Sequence, residues 1–561
     1  MSEKARIGLL LALSLLVYGN SLSDGFTLDD DAYVLHNPAV NAPSWKGLFE
    51  PTPHNNKFRP VTYATFALNW ALGKDHPFGY HLFNILLNSA AVLLLYLVLT
   101  ELLETKPRGT TIAWATALLF AVHPIHTEAV ASVSGRSELL ATALLLSAWY
   151  LHLQDLPFFS LLCFVLAMLS KESAVAFLPL AVAGDVVRSR WKNPVRYLLI
   201  TGTTFLYLAV LWVVQGNRFG ERQVSLLDNP LAYLSPVQRI LNALPIAWKY
   251  IGLQLFPAAL SCDYSYNAIV LDLRWWHTAP AAVATALVVA LWIYSLWTER
   301  TEWFLAGAIY LAGFAITANI LLPTGTIMGE RLAYLPSAGF CLFVILLGDR
   351  LLNRQQKVAG LVLGLAMAVL AARGVTRNRD WRDNFSLFSA DVQTVPGSAK
   401  LHAVLGGQYM FRNQWEPARD EFETALRIYP NYPEVLSLSG VAESRMGHDQ
   451  VALYKLQKAL SMTEKGSMSY TTGAVNLAMH LAKIGRSDEG LALLSEVITL
   501  SPQSPFAWSS RAVVHYGRGE MALARADAQT ALRLDPKNVQ AQTILKSINN
   551  LSPSLPPGQQ P

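Results

Sequence analysis

Apolar segments occur near residues 7–22, 79–101, 110–124, 137–152, 195–216, 278–297, 302–321, 331–350 and 357–375, with two shorter ones near 158–170 and 173–187 split by Lys171 and Glu172. A helix rises about 1.5 Å per residue and the hydrocarbon core of a bilayer is about 30 Å thick, so segments of this size suffice to cross it. In hydrocarbon every backbone N–H and C=O has to be satisfied within the protein, which helices and closed barrels achieve. The pattern therefore predicts an all-α polytopic membrane bundle of about 11 spans. Composition agrees, because 52% of the 561 residues are hydrophobic and 15% charged, against roughly 25% charged in soluble proteins. The segment 238–258 contains Asn242, Pro245, Trp248, Lys249 and Gln254 and reads as an interfacial or re-entrant helix.

Lys and Arg mark the cytoplasmic loops. Lys4 and Arg6, Lys106 and Arg108, the group Arg188, Arg190, Lys192 and Arg196, and the group Arg350, Arg354 and Lys357 fall on one side if the spans alternate. The opposite side receives 23–78, 123–136, the Lys171–Glu172 turn, 217–277, 322–331 and everything after 376. The start, MSEKAR followed by Ile7 to Tyr18, lacks a small-x-small cleavage site and reads as a retained signal anchor. Three scattered cysteines, Cys163, Cys262 and Cys341, offer neither a disulfide framework nor a CxxC metal site. The net charge of +5 is dispersed, with no basic block able to neutralise many phosphates, which sets nucleic acid aside.

After Arg377 the composition turns soluble and a period of about 34 residues emerges. Leu405, Gly406, Tyr409, Ala418, Phe422, Ala425 and Pro430 have the spacing of a tetratricopeptide repeat. Further units place Gly440, Ala452, Leu456 and Ala459; Ala474, Leu477, Ala478 and Leu494; and Trp508, Ala512, Ala524, Ala528 and Ala531, with an offset near Lys465 to Ser469. Four repeats stack into an α-solenoid whose concave face suits an extended polypeptide or a partner protein. The predicted division is a membrane domain 1–376, a linker 377–396, repeats 397–548 and a disordered tail 549–561.

Ionisable groups beside membrane spans are costly and default to functional candidates. The outward side collects Asp29, Asp30 and Asp31 in TLDDDAYVLHNPAV, Arg59 in FRPVTYATFALNW, His81 in GYHLFNILLN, and His123, His126, Glu128, Arg136 and Glu138 in HPIHTEAVASVSGRSELL. To these it adds Lys171 and Glu172, then Glu330, Arg331 and Tyr334 in MGERLAYLPSAGF. Three adjacent aspartates alone also fit a solvated helix cap; convergence at the ends of several spans favours a site. HPIH does not have the HExxH spacing that sets two imidazoles on one helical face, which argues against structural zinc. The set fits group transfer from a phosphate-linked lipid, where a carboxylate takes the acceptor's hydroxyl proton and fixed cations hold the departing phosphate. Arg59, Lys171 and Arg331 supply the cations.

These motifs, with KESAV, RNRDWRDNFSLF and the repeats after them, resemble the transmembrane and tetratricopeptide repeat-containing O-mannosyltransferases along nearly the whole chain. The resemblance implies a GT-C glycosyltransferase architecture and transfer of mannose from a polyprenyl phosphate to Ser or Thr of exported proteins. Its paired acidic motif falls on Asp29 and Asp30, with Asp30 favoured as base, and its other motifs on Arg59, on His123, His126 and Glu128, and on Glu330 and Arg331. With His81, Arg136 and Tyr334 the histidine and Glu-Arg motifs form the expected sugar or acceptor site. A divalent cation, Mg or Mn, held by Asp30 and Glu128 stays open as a cofactor. The compact loops and small number of repeats suggest a bacterial inner-membrane protein facing the periplasm, the equivalent of a lumen-facing protein of the endoplasmic reticulum. Two alternatives remain: a GT-C enzyme acting on a lipid or glycan, and a membrane-anchored repeat scaffold for a periplasmic complex.

Overall fold

A computed structural model describes residues 1–50, 57–215, 224–272, 274–352 and 354–551. The chain forms two compact units, Met1–Pro396 and Gly397–Pro561. All regular structure among the described residues is helical.

Every apolar segment read from the sequence holds a helix in the first unit. Among the described residues six helices are long and apolar enough to cross by length and composition: Glu3–Ser23, Phe78–Leu102, Pro194–Val214, Trp275–Trp297, Glu330–Leu351 and Gln356–Arg382. A seventh arises if Pro124–Ala131 and Val133–Leu153, bent by 100°, are one span. Gly109–Val122 and Pro157–Met168 are shorter apolar helices, and Thr301–Phe314 has 14 residues. The shortening has a local cause. Gly109–Val122 stops where His123-Pro124 begins, Val133–Leu153 starts through a 3-10 turn, and Pro157–Met168 ends before Lys171. Irregular backbone at membrane depth survives only where protein or a polar cavity satisfies it, so these breaks already localise a polar interior. The helix Pro236–Leu255, interrupted by Pro245, is outside the set that can cross by length and composition.

Two devices bind the bundle. Polar side chains bridge helices, which replaces the hydrophobic drive that lipid cannot supply: Ser14 and Ser89 hydroxyls lie 2.9 Å apart, Asn88 donates to Ser14 at 2.9 Å, and Tyr334 donates to Asn88 at 2.6 Å. Small residues admit close backbones as well. A Cβ on Gly339 would lie 2.4 Å from the Ala306 carbonyl oxygen, so Thr301–Phe314 and Tyr334–Leu351 touch backbone to backbone there.

The stretch 377–396, expected to be a linker, is structured within this first unit. Arg377 is buried and donates to both oxygens of Asp391, at 2.6 and 3.1 Å, and the helix Asn384–Thr394 is N-capped by Asp383. A buried arginine needs such a partner, and that requirement holds the segment against the bundle.

Among the described residues the second unit holds four helix pairs, beginning with Ala399–Phe411 and Trp415–Ile428 and ending with Pro505–Gly517 and Met521–Leu534, followed by Val539–Leu551. The second helices of the pairs start at Trp415, Asp449, Ser487 and Met521. The repeat of about 34 residues is therefore stretched once, across the Met462–Ser467 connection. Ala418, Phe422 and Ala425 are wholly buried. Gly406 is small because a Cβ there would meet the Phe422 ring at 2.6 Å. Of the expected tail, 549–551 end the last helix and 552–561 lie outside the described residues.

Candidate active site

The adjacent carboxylates Asp29 and Asp30 part company. Asp30 is completely buried, and its oxygens accept from the amides of Thr27 at 3.0 Å, Val133 at 3.2 Å and Ser134 at 2.7 Å, and from the Ser132 hydroxyl at 3.3 Å. Burial pushes its pKa up to about 6 against the pull of those donors. It fastens the first loop to the 132–134 turn. Asp30, favoured from sequence as the base, is thus already fully engaged. Asp29 is exposed, and so is Asp31, which faces His36 at 3.1 Å.

Cations from three stretches of chain gather near Asp29, with Lys57 and Arg331 within its electrostatic reach. Arg59 precedes Pro60, which forces it into a non-helical backbone (φ −141°, ψ 60°) at the start of the helix Pro60–Gly73. The Val61 amide donates to the Leu169 carbonyl at 3.2 Å and the Thr62 hydroxyl to that of Ser170 at 3.0 Å, which sets Arg59 beside Lys171. Arg59 grips both oxygens of Glu172, at 3.2 and 2.7 Å, and donates to Ser137 at 3.2 Å. Lys171 pairs with Glu138 in the buried wall. Arg331 pairs with Glu128 through one guanidinium nitrogen and through its own amide at 2.8 Å, and its side chain remains 31% exposed.

Lys57 was not singled out from the sequence. It lies in extended chain two residues before Arg59, contacts the Tyr33 hydroxyl at 2.5 Å and is within electrostatic reach of Arg59, Asp29, Arg331 and Glu172. Burial, and then the Arg59 charge, lower its pKa to about 7. Its spacing from Arg59 was the available signal. The field around Arg331 likewise includes Glu128, Asp29, Tyr33 and Glu138, so the expected phosphate-binding residues do meet at one place, with the carboxylates interleaved. Glu138, Thr142, Leu145, Ala174, Leu332 and Leu335 line a narrow indentation of about 10 Å³, room for about one water.

The expected sugar or acceptor residues largely serve the frame. Arg136 is fully buried, donates to Asn84 at 2.9 Å, Asn69 at 2.6 Å and the Tyr80 carbonyl at 3.0 Å, and stacks on Phe66 and Phe83. His123 accepts the Ile125 amide at 3.2 Å as a helix cap, and its other ring nitrogen is 2.9 Å from the Gln254 carbonyl. His126 meets the Ser337 hydroxyl at 2.7 Å between the rings of Phe120 and Tyr334. His81 is buried against the backbone of Asp24 and Gly25. Tyr334 holds Asn88, and Glu330 accepts from the Ser261 amide at 2.6 Å and the Tyr264 hydroxyl at 2.7 Å. Sequence spacing shows polarity near a membrane but not whether a partner consumes it.

Asp30 and Glu128 do not fit a shared Mg or Mn ion. Asp30 is engaged by four donors and Glu128 by Arg331. Among the described residues no group of three or more His, Cys, Asp or Glu side chains is placed to hold a metal.

Fold and site together define a class: a helical membrane protein with a cluster of interleaved charged side chains in its first unit and a tetratricopeptide array in its second. The chain is a homologue of the protein O-mannosyl-transferases. It is 30% identical over 76% of its length to a protein O-mannosyl-transferase of Caenorhabditis elegans, covering 63% of that protein. It is 27% identical over 95% of its length to protein O-mannosyl-transferase TMTC3 of Mus musculus, covering 64% of it, and 28% identical over 78% to TMTC1 of Homo sapiens, covering 57% of it. The chain thus spans somewhat less than two thirds of these relatives, and they give no support to a bacterial source. No protein-family model matches. Among solved structures, similarity extends to a thermophilic TPR protein of Thermus thermophilus (20% identity, 35% of this chain and 96% of that one, TM-score 0.27) and to MamA of Desulfovibrio magneticus (22%, 27% and 84%, TM-score 0.23).

Proposed function

We propose that the chain is a membrane glycosyltransferase that moves mannose from a polyprenyl phosphate to a Ser or Thr hydroxyl of a polypeptide, with inversion at the anomeric carbon. The observation that carries this reading is the exposed Asp29 beside the Lys57 and Arg331 charges, while neighbouring Asp30 is consumed by backbone donors. Asp29 takes the hydroxyl proton as the oxygen attacks the anomeric carbon. The bond from that carbon to the phosphate oxygen breaks, and its electron pair leaves with the phosphate. A single displacement from the opposite face inverts configuration. Phosphate departs as a stable anion, so one base and fixed cations suffice.

Arg331, exposed enough to offer its remaining N–H groups, and Lys57 meet the donor phosphate. Arg59 and Lys171, expected as direct phosphate ligands, keep the pocket's charge in register through Glu172 and Glu138. The site opens on the non-cytoplasmic side, periplasmic or lumenal. The similarity to protein O-mannosyl-transferases supports a protein acceptor, which the tetratricopeptide repeats would present.

The test is the labelled product. Purified protein incubated with radiolabelled polyprenyl phosphate mannose and an acceptor polypeptide should yield label on protein, released by β-elimination. Label recovered with lipid or glycan would replace the acceptor assignment, and no transfer from any polyprenyl phosphate hexose would refute the enzyme reading.

A further inference from the structure

RNRDWRDNFSLF, singled out in the sequence yet unused by the chemistry above, reaches the base. Thr27 to Asp30 form a β-turn, closed by the Asp30 amide donating to the Thr27 carbonyl at 3.0 Å. Its second residue is Leu28, at φ +52°. That left-handed conformation is ordinary for glycine and strained for leucine. It also leaves Asp29, the third residue of the turn, outward while Asp30, the fourth, goes inward.

Something must hold the corner. The Leu28 amide donates to the Asn384 side-chain oxygen at 2.8 Å, and the Gly25 amide donates to the Arg382 carbonyl at 2.9 Å. Asn384 is the first residue of the helix Asn384–Thr394, whose start is fixed by Asp383 accepting the Ser386 amide at 2.8 Å. Its position is set by a capped helix rather than by a loop, the kind of support that keeps a reacting group within a few tenths of an ångström. Asn378 secures the same segment through donation to the Val17 carbonyl at 2.8 Å and to Asn20 at 2.9 Å.

We infer that Asn384 is a positioning residue for transfer: by accepting the Leu28 amide it holds the left-handed corner that sets Asp29 beside the Lys57 and Arg331 charges. This inference rests on the reading of Asp29 as base. Asn384 touches no reacting atom and acts through Leu28.

Four variants of the full chain in detergent or nanodiscs test it: Asn384→Ala, Asn384→Asp, Leu28→Gly, and Asn384→Ala combined with Leu28→Gly. Misplacing a reacting group by about 1 Å costs on the order of 10²-fold, so Asn384→Ala should lower kcat by about 10- to 100-fold and leave the donor KM unchanged. Asn384→Asp keeps an acceptor oxygen and should restore most of the rate. Glycine adopts positive φ without help, so Leu28→Gly should recover much of kcat in the Asn384→Ala background, which a general folding defect would not allow. Hydrogen exchange at the Leu28 amide should accelerate in Asn384→Ala whatever the activity. Wild-type kcat in Asn384→Ala, or a loss that neither Asn384→Asp nor Leu28→Gly repairs, overturns the inference. Asp29→Asn, run alongside, separates the two claims: its inactivity leaves the base reading standing, and full activity removes that reading while the Leu28 exchange still reports on the corner.

Discussion

Asp30→Asn removes one acceptor oxygen from the best-connected carboxylate of the site. Two donors, the Thr27 and Val133 amides, share one oxygen, and the Ser134 amide and Ser132 hydroxyl share the other. An amide in place of the carboxylate can serve one pair and opposes the other with its own N–H groups. Each buried donor left unpaired costs about 1–3 kcal/mol, giving about 2–6 kcal/mol for two. The neutral side chain escapes part of the charge-burial penalty that pushes Asp30 up to about 6, so the net loss should fall near the lower end, about 2–3 kcal/mol. Each 1.4 kcal/mol is tenfold in an opening equilibrium, so exchange at the 132–134 amides should quicken by about 30- to 150-fold. The sign of the pH dependence is also fixed. A carboxyl whose folded pKa exceeds its unfolded value near 4 contributes stability below about pH 4 and loses it as pH rises through about 6. Wild-type protection of this loop should therefore decline over that window, and the slope should vanish in Asp30→Asn. Unchanged exchange in Asp30→Asn would refute the anchoring role.

Three further outcomes follow from the same geometry. Lys57 loses its charge as pH rises through about 7, so the donor KM should climb between about pH 7 and 9, and Lys57→Arg should flatten that rise; an equal slope in the variant removes Lys57 from phosphate binding. Arg136→Met strands the acceptors on Asn84, Asn69 and Tyr80; the folded yield and Tm should fall, consistent with about 3–5 kcal/mol for breaking a buried charged network, while the donor KM of the folded fraction is unchanged. Gly406→Leu forces a Cβ to within 2.6 Å of the Phe422 ring and should cost about 1–3 kcal/mol by overpacking, seen as faster exchange within 399–428 and a normal exchange pattern around Asp30.

The repeats were legible because Gly406, Ala418, Phe422 and Ala425 stand at spacings that one packing geometry demands, and the structure buries the last three completely. The apolar segments were legible for a similar reason, as hydrocarbon tolerates few compositions. Span length was less so, since the sequence does not show where polar breaks such as His123-Pro124 shorten a helix. Within the site, Arg59, Lys171 and Arg331 were found because charge near lipid is conspicuous. Partner choice was hidden: nothing local reveals that Glu172, Glu138 and Glu128 meet those cations, or that Arg136 is consumed by amides and carbonyls. The divergence of Asp29 from Asp30 depends on the positive φ of Leu28, held by a residue more than three hundred positions away, and no pattern around the triple aspartate announces it.

The most direct measurement is the mannose-transfer rate of Asp29→Asn in membranes, with binding of the polyprenyl phosphate donor followed in parallel. Loss of a general base costs about 10²–10⁴-fold, so kcat should fall by that amount while donor binding and loop exchange stay those of the wild type. Transfer at the wild-type rate would contradict the account.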